Sequence, residues 1–253
     1  MRVAEGANVR TIAGRYELDE LLGQGAFGQV WRARDRRFRQ RHVAVKVLKP
    51  EHLRSARTVA YFWRECEALA ALQHPNVVAA SDRGPERIDD LADALARGEA
   101  QDVFLVMEYV PGGNLSRWLA RHRTEGNTTD PAEVGRLFAQ VCAGVAAAHA
   151  LAPPAGPVIH RDLKCDNVLV FDAGDGPVAR ITDFGIARLG ERPDTASVNA
   201  VLGTLTYMSP EQLAGDAARV GTWSDVFSLG VMLVEMLTFA RNWRGTLWSL
   251  TPA

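Results

Sequence analysis

Val158-Ile159-His160-Arg161-Asp162-Leu163-Lys164-Cys165-Asp166-Asn167 constrains this chain more than any other stretch in it. Apolar residues lead into a polar cluster that gives way at once to Val168-Leu169-Val170, the pattern of a tight loop between two short buried strands. Asp162 is a carboxylate able to take a proton from a hydroxyl, Lys164 a cation suited to a transferring phosphate, and Asn167 a neutral oxygen ligand suited to Mg²⁺. With residue frequencies near 5%, six fixed positions in this spacing arise by chance at roughly one in ten million sites or fewer.

Other segments carry weaker signals that gain from their order. A strand-like run beginning at Tyr16 enters Gly23-Gln24-Gly25-Ala26-Phe27-Gly28-Gln29-Val30. Glycines at such spacing serve ordinary turns and dinucleotide folds as well as phosphate loops. A dinucleotide fold needs a helix directly after the third glycine, whereas Val30 to Arg34 reads as a returning strand, so the segment is predicted to be a hairpin lid. His42 to Leu48 alternates apolar residues around Lys46; a lone lysine in a strand is ordinarily a solvated edge residue. Ala56 to Leu72 has helical apolar spacing at Val59, Phe62, Cys66, Leu69 and Leu72, with Glu65 and Glu67 on it. Val103 to Val110 is a strongly apolar strand ending in Pro111-Gly112-Gly113. Asn114 is placed to cap a short helix, and Pro131 opens a longer one to His149 with Val134, Leu137, Phe138, Val141 and Val145 on its apolar face. Past the polar cluster, a hairpin about Gly174-Asp175-Gly176 delivers Asp183-Phe184-Gly185, 21 residues after Asp162.

The polar cluster has the form H-R-D-L-x-x-x-N, and in this order of motifs the chain resembles a eukaryotic-type serine/threonine protein kinase from about Tyr16 to about Leu237. The resemblance implies an α+β, two-lobed fold: a small antiparallel sheet lobe with one main helix, and a larger, mostly helical lobe. It places a tail at 1–15 and the kinase domain at 16–253, divided into 16–110, with the hinge, and 111–253. ATP and Mg²⁺, with Mn²⁺ as an alternative, are the implied cofactors. Lys46 would contact the α- and β-phosphates and pair with Glu65, which lies nine residues before His74-Pro75-Asn76; Glu67 is the alternative partner. Asp162 and Lys164 would act at the transferring phosphate, and Asn167 and Asp183 would hold the metal. The cofactor-binding set is Leu22, Gly23, Gly25, Gly28, Val30, Ala44, Lys46, Met107, Glu108, Val110 and Leu169, with Val30 against adenine and Met107 as gatekeeper, although core packing explains Met107 equally well. Thr195 and Ser197 fall in the activation loop, where a phosphate would pair with Arg161; Thr204 belongs to substrate docking. Lys164 and Thr204 together match the serine/threonine subgroup. Asp225 would orient the backbone of the catalytic loop, and Phe184 would set the direction of Asp183.

The resemblance also fails in places. Residues 81–102 are longer than the family's usual hairpin and are read as a solvated loop with a short surface helix over Ile88 to Ala96. Leu151 to Pro157 is likewise longer, and Ser209 stands where A-P-E has alanine. Beyond Thr238 the family has three more helices, and residues 239–253 cannot replace helices of about eleven residues each. The helix from Trp223 to Leu237 is therefore expected to expose apolar surface, unless a partner or a further segment completes the lobe.

A net charge of -1 with 23% charged residues argues against nucleic acid as a partner. Cys66, Cys142 and Cys165 form neither a disulfide framework nor zinc spacing, and the pair His149 and His160 lacks further ligands, so both histidines are read as structural. A reducing cytoplasm fits, with no signal peptide and no membrane segment: the longest apolar run, Val226 to Leu237, is short and broken by Glu235. Abundant Ala, Arg and Gly suit a high-GC bacterial genome. Three functions compete: a kinase acting on protein substrates and on itself; a kinase-like scaffold that holds nucleotide and transfers little; and a small-molecule phosphotransferase, which the peptide-docking segment Gly203 to Glu211 argues against.

Overall fold

Period-two alternation of valines organises the first of the two units into which the chain divides, Met1–Ala70 with Val78–Val110. The structure is a computed structural model and describes residues 10–25, 28–39, 41–53, 55–85, 102–124, 130–152, 156–184 and 205–238. Strands β1 (Thr11–Ile12), β2 (Tyr16–Gln24), β3 (Gly28–Asp35), β4 (Arg41–Leu48), β5 (Ala80–Gly84) and β6 (Phe104–Glu108) form one antiparallel sheet in the order β1-β2-β3-β4-β6-β5. Val43, Val45 and Val47 point to one face, where they join Ile12, Tyr16, Leu18, Ala33, Phe104 and Val106 in a buried core. Ala44 and Lys46 therefore point to the other. Helix α1 (Ala56–Ala71) buries Val59, Phe62, Cys66 and Leu69, the spacing read from the sequence.

The expected tail needs correction at its inner end. Ile12 is fully buried, Thr11 and Ile12 pair with Glu17 and Tyr16, and the carbonyl of Arg10 accepts the amide of Leu18. Arg15 grips Asp35 with two bonds of 2.9 and 2.7 Å and reaches Asp82 at 2.8 Å, while the Tyr16 hydroxyl also donates to Asp82. The hydrogen bond from Arg15 is the main reason that Asp35 titrates below the ordinary carboxylate range. A two-residue strand has no periodicity to betray it, and the partners of Arg15 lie 20 and 67 residues away.

The second unit comprises Ala71–Val77 and Pro111–Ala253. Helix α2 (Leu115–Thr124) starts at Asn114, whose side chain accepts the amide of Arg117 at 3.0 Å. Helix α3 (Pro131–His149) is capped by Asp130 and buries Val134, Leu137, Val141 and Val145, with Phe138 only half-buried. At Gly144 an added Cβ would sit 2.8 Å from Ile181 and 2.9 Å from the carbonyl of Asn76, so only glycine lets these segments approach α3 this closely. The hairpin of β7 (Val168–Asp172) and β8 (Pro177–Ile181) pairs Val168 with Ile181. After the short α4 (Pro210–Leu213), helix α5 (Thr222–Thr238) is buried along Ser224, Asp225, Ser228, Leu229, Met232 and Met236. Trp223, Val226 and Leu237 on α5 are exposed. Among the described residues no helix is long and apolar enough to cross a membrane.

Candidate functional site

Cross-strand register gathers the candidate residues of the first unit on the sheet face opposite its core. Val30 pairs with Lys46, Ala44 with Met107, and Lys46 with Leu105; directly paired residues share a face, so Val30, Ala44, Lys46 and Met107 lie together. The glycines of the β2–β3 hairpin divide into two kinds. A Cβ on Gly23 would meet nothing and one on Gly25 would come only within 3.9 Å of the Gly28 carbonyl, so these two leave bare backbone. One on Gly28 would stand 2.8 Å from the carbonyl oxygen of Val47, so this glycine is needed for β3 to lie against β4. Lys46 is flanked by fully packed valines, and its Nζ lies 2.6 Å from Oε1 of the buried Glu65; Glu67 is exposed. Burial makes this charge-assisted bond a strong positional restraint on the cation.

In the second unit, buried side chains alternate with presented ones. His160, Leu163 and Cys165 are fully buried, while Asp162 and Lys164 between them stay partly exposed, so the loop is pinned from below and offers its carboxylate and ammonium above. Lys164 Nζ donates to Asp162 Oδ2 at 3.0 Å. The Asn167 amide nitrogen donates to the backbone oxygen of Asp162 at 2.8 Å and to its Oδ2 at 3.2 Å. Both acceptors are oxygens, which assigns Nδ2 to that side and turns Oδ1 of Asn167 away from Asp162.

Asp225, from the first turn of α5, is the fastening of this loop. It is 0% exposed; its Oδ2 accepts the His160 amide at 2.8 Å and its Oδ1 the Arg161 amide at 2.9 Å. His149 at the end of α3 adds Nε2 at 2.7 Å from Oδ2. Burial alone would raise this carboxyl, but the His149 bond and the two amides hold it below the ordinary range. These bonds steady Arg161 in the left-handed region (φ 64°), a conformation unusual for a residue with a side chain. From the other side, Gln212 Nε2 donates to the Arg161 carbonyl at 2.8 Å. The ring of His160 accepts the Asp162 amide at Nδ1 (3.3 Å) and meets the Thr182 carbonyl at Nε2 (3.1 Å), so it carries its proton on Nε2. Burial keeps it neutral, lowering its pKa from the usual 6.5. Phe184, also buried, packs its ring 4.6 Å from that of His160.

The β7–β8 register brings the two expected metal residues together: Thr182 donates its amide to the Asn167 carbonyl at 3.0 Å, which sets Asp183 beside Asn167 along the backbone. Asp183 itself sits at φ 56°, which aspartate tolerates better than most residues. One carboxylate and one amide oxygen fit Mg²⁺, which takes few protein ligands and fills its shell with water and phosphate oxygens. Leu22 and Gly23 are exposed, Val110 is buried, and Glu108 and Leu169 are half-buried. Ala26, Phe27, Thr195, Ser197, Thr204 and the expected helix at 88–96 lie outside the described residues.

Sequence reasoning missed several supports. The Tyr207 hydroxyl donates to the buried Glu235, the residue that seemed merely to interrupt an apolar run, and both lie near Cys165. Desolvation is the first cause that pushes the Tyr207 phenol and the Cys165 thiol far up, so neither ionises. Glu211 accepts the Ser224 hydroxyl at 2.5 Å. A serine after the tryptophan in Trp223-Ser224-Asp225 was the available signal; nothing local announced Tyr207 with Glu235.

A family model described as "Protein kinase domain" matches residues 16–247. Serine/threonine-protein kinase A of Synechocystis is 38% identical over 238 residues, covering 90% of this chain and 41% of that protein. PkaA of Streptomyces coelicolor is 36% identical over 240 residues (91% and 40%), and PknA of Mycobacterium tuberculosis 35% over 243 residues (93% and 49%). The chain thus spans less than half the length of these relatives. Among solved structures, a double mutant of the Mycobacterium tuberculosis PknI kinase domain superposes with a TM-score of 0.67 at 24% identity, covering 94% of this chain and 80% of that one, a likeness of fold.

Proposed function

The chain belongs to the protein kinase domain family, and on that premise we propose that it moves the γ-phosphate of Mg-ATP to serine and threonine hydroxyls of proteins, its own among them. The observation that carries this reading is the clustering of Asp162, Lys164 and Asn167 on a loop held by a buried carboxylate. In this reading Lys46, steadied by Glu65, binds the α- and β-phosphates, and the bare backbone at Gly23 and Gly25 lies along them. Val30, Ala44 and Met107 offer an apolar face to adenine, with Leu22, Glu108, Val110 and Leu169 completing that set. Asp162 orients the acceptor hydroxyl and takes its proton, and Lys164 neutralises charge that develops on the phosphoryl oxygens. Asp183 and Asn167 would hold Mg²⁺, or Mn²⁺ in its place, which when bound offsets the charge of the phosphates. The loop is already formed, so little reorganisation remains for the reaction itself.

By the same family likeness, a phosphate on Thr195 or Ser197 would be read by Arg161, Thr204 would help dock a protein substrate, and the cytoplasm would be the place of action. Intact mass after incubation with Mg-ATP tests the central claim: phosphate increments are expected in the parent chain and absent in Asp162→Ala of equal melting temperature. A cooperatively melting chain that binds nucleotide and gains no phosphate, on itself or on a peptide panel, would make it a nucleotide-holding scaffold instead.

A further inference from the structure

The turn between β3 and β4 concentrates charge of one sign around one exposed aromatic ring. It reads Arg36-Arg37-Phe38-Arg39 and enters β4 at Arg41-His42, and no acidic residue occurs from Arg36 to Pro50. Nearby arginines are neutralised: Arg32 by Asp19 at 2.9 Å and Glu20 at 2.8 Å, Arg36 by Glu17 at 2.5 Å, and Arg15 by Asp35 at 2.7 Å. The tip differs. Among the described residues Arg37 and Arg39 form no ion pair, and the Arg41 guanidinium lies 5.9 Å from the centroid of Phe38. Phe38 is 58% exposed, with Arg15 at 5.3 Å on its ring as well. The turn holds its shape through the amide of Arg37 on Asp35 Oδ1 (3.0 Å), the amide of Phe38 on the Asp35 carbonyl (3.3 Å) and the amide of Arg41 on the Phe38 carbonyl (2.9 Å). Arg39 occupies the left-handed region at φ 47°, which gives the tip its sharp reversal.

We propose that this turn docks the protein onto an anionic membrane surface, Phe38 entering the boundary between headgroups and acyl chains while Arg37, Arg39 and Arg41 meet lipid phosphates. A lone aromatic ring ringed by arginines matches a bilayer interface, where an apolar body and cationic heads are satisfied at neighbouring depths. A folded acidic protein fits less well, because a stable interface covers about 800 Å² on each partner and a four-residue tip presents far less. Nucleic acid binding draws on a longer row of phosphate contacts than three arginines at one point supply, and it has no use for a wedge of this kind outside a base step. Each arginine near an anionic surface contributes about five-fold in partition. The attachment is therefore weak and reversible, adding to whatever else holds the protein there.

Flotation of the full chain with phosphatidylcholine vesicles, with and without phosphatidylglycerol, reads the proposal directly. Binding is expected only with phosphatidylglycerol, falling in high salt, falling by about twenty-five-fold in the Arg37→Ser, Arg39→Asn double variant, and falling again with Phe38→Ser; melting curves of all variants should match the parent. Phe38→Trp, which keeps the charge, should add an emission that shifts to the blue on anionic vesicles and is quenched by brominated acyl chains. Equal binding to both vesicle types, retention in the combined variant, no quenching, or salt-sensitive binding to a transfer RNA that exceeds vesicle binding and ignores Phe38 would each overturn the membrane assignment.

Discussion

Lys46 and Asp162 are both charged groups presented by a buried base, and they differ in what ties them: a side chain in one case, the loop backbone in the other. Lys46 is tied, side chain to side chain, to Glu65 on a helix 19 residues away. Asp162 sits in a loop fastened from several sides: Asp225 and Gln212 hold its backbone, His160 takes its amide, and Asn167 and Lys164 take its oxygens. A bond between side chains of two elements can be made and lost without unfolding either. A loop tied to a buried helix cannot be displaced without disturbing the core. The first arrangement suits a cation whose position is to be adjustable, and the second suits groups whose geometry must be ready beforehand.

The sharpest way to break this contrast is Asp225→Asn. An amide has one accepting oxygen where Asp225 uses two, so an NH₂ must face an N–H at a fully buried site, and a stability loss of about 3 kcal/mol is expected. Denaturant melts read it, and phosphate transfer should fall with it; a change below that of Glu65→Gln would refute the difference in support. Next, within the first unit, Gly28→Ala should cost about 2 kcal/mol through its clash with the Val47 carbonyl, while Gly23→Ala leaves the melt unchanged. Equal melts for the two would mean that β3 and β4 can spread. Glu65→Gln keeps a hydrogen bond to Lys46 and removes its counter-charge. Its stability cost should be on the order of 1 kcal/mol, with phosphate transfer down by roughly a hundredfold, a separation between stability and activity that Asp225→Asn must not show.

The smallest effect is a pH dependence. His160 is neutral in the fold, with a pKa below the usual 6.5, so the unfolded chain binds the extra proton first. Its contribution to stability is complete above 6.5 and declines as pH falls from there toward the folded value. Asp225, depressed below the usual 3.8, contributes above that value and is lost only as pH falls further, through its folded pKa. Melting temperature should therefore drop between pH 7.5 and 5, and the drop should shrink in His160→Gln, whose amide can still reach the Thr182 carbonyl. An unchanged acid limb in that variant would assign the titration to another group.

Legibility in the sequence followed the length and regularity of the signal. The helix from Pro131 to His149 was readable to the residue, because proline, apolar spacing and terminal histidine agree. The alternation around Lys46 gave its strand, and motif order singled out Glu65 over Glu67. What stayed hidden were contacts between residues far apart in sequence and ordinary in type. Arg15 looked like part of a polar tail because Asp35 and Asp82 are brought to it only by the sheet. Glu235 looked like an interruption because its partner, Tyr207, lies in another segment. Gly28 was readable as one glycine of three, yet its closest constraint comes from Val47 on the next strand.

Asp225 also has a kinetic consequence. By accepting hydrogen bonds from the amides of His160 and Arg161 on a side chain of α5, it makes two loop residues exchange with solvent as though they belonged to that helix. Deuterium should therefore enter them as slowly as it enters the buried middle of α5, and ahead of neither. The loop of Asp162 would then be among the last parts of its unit to open.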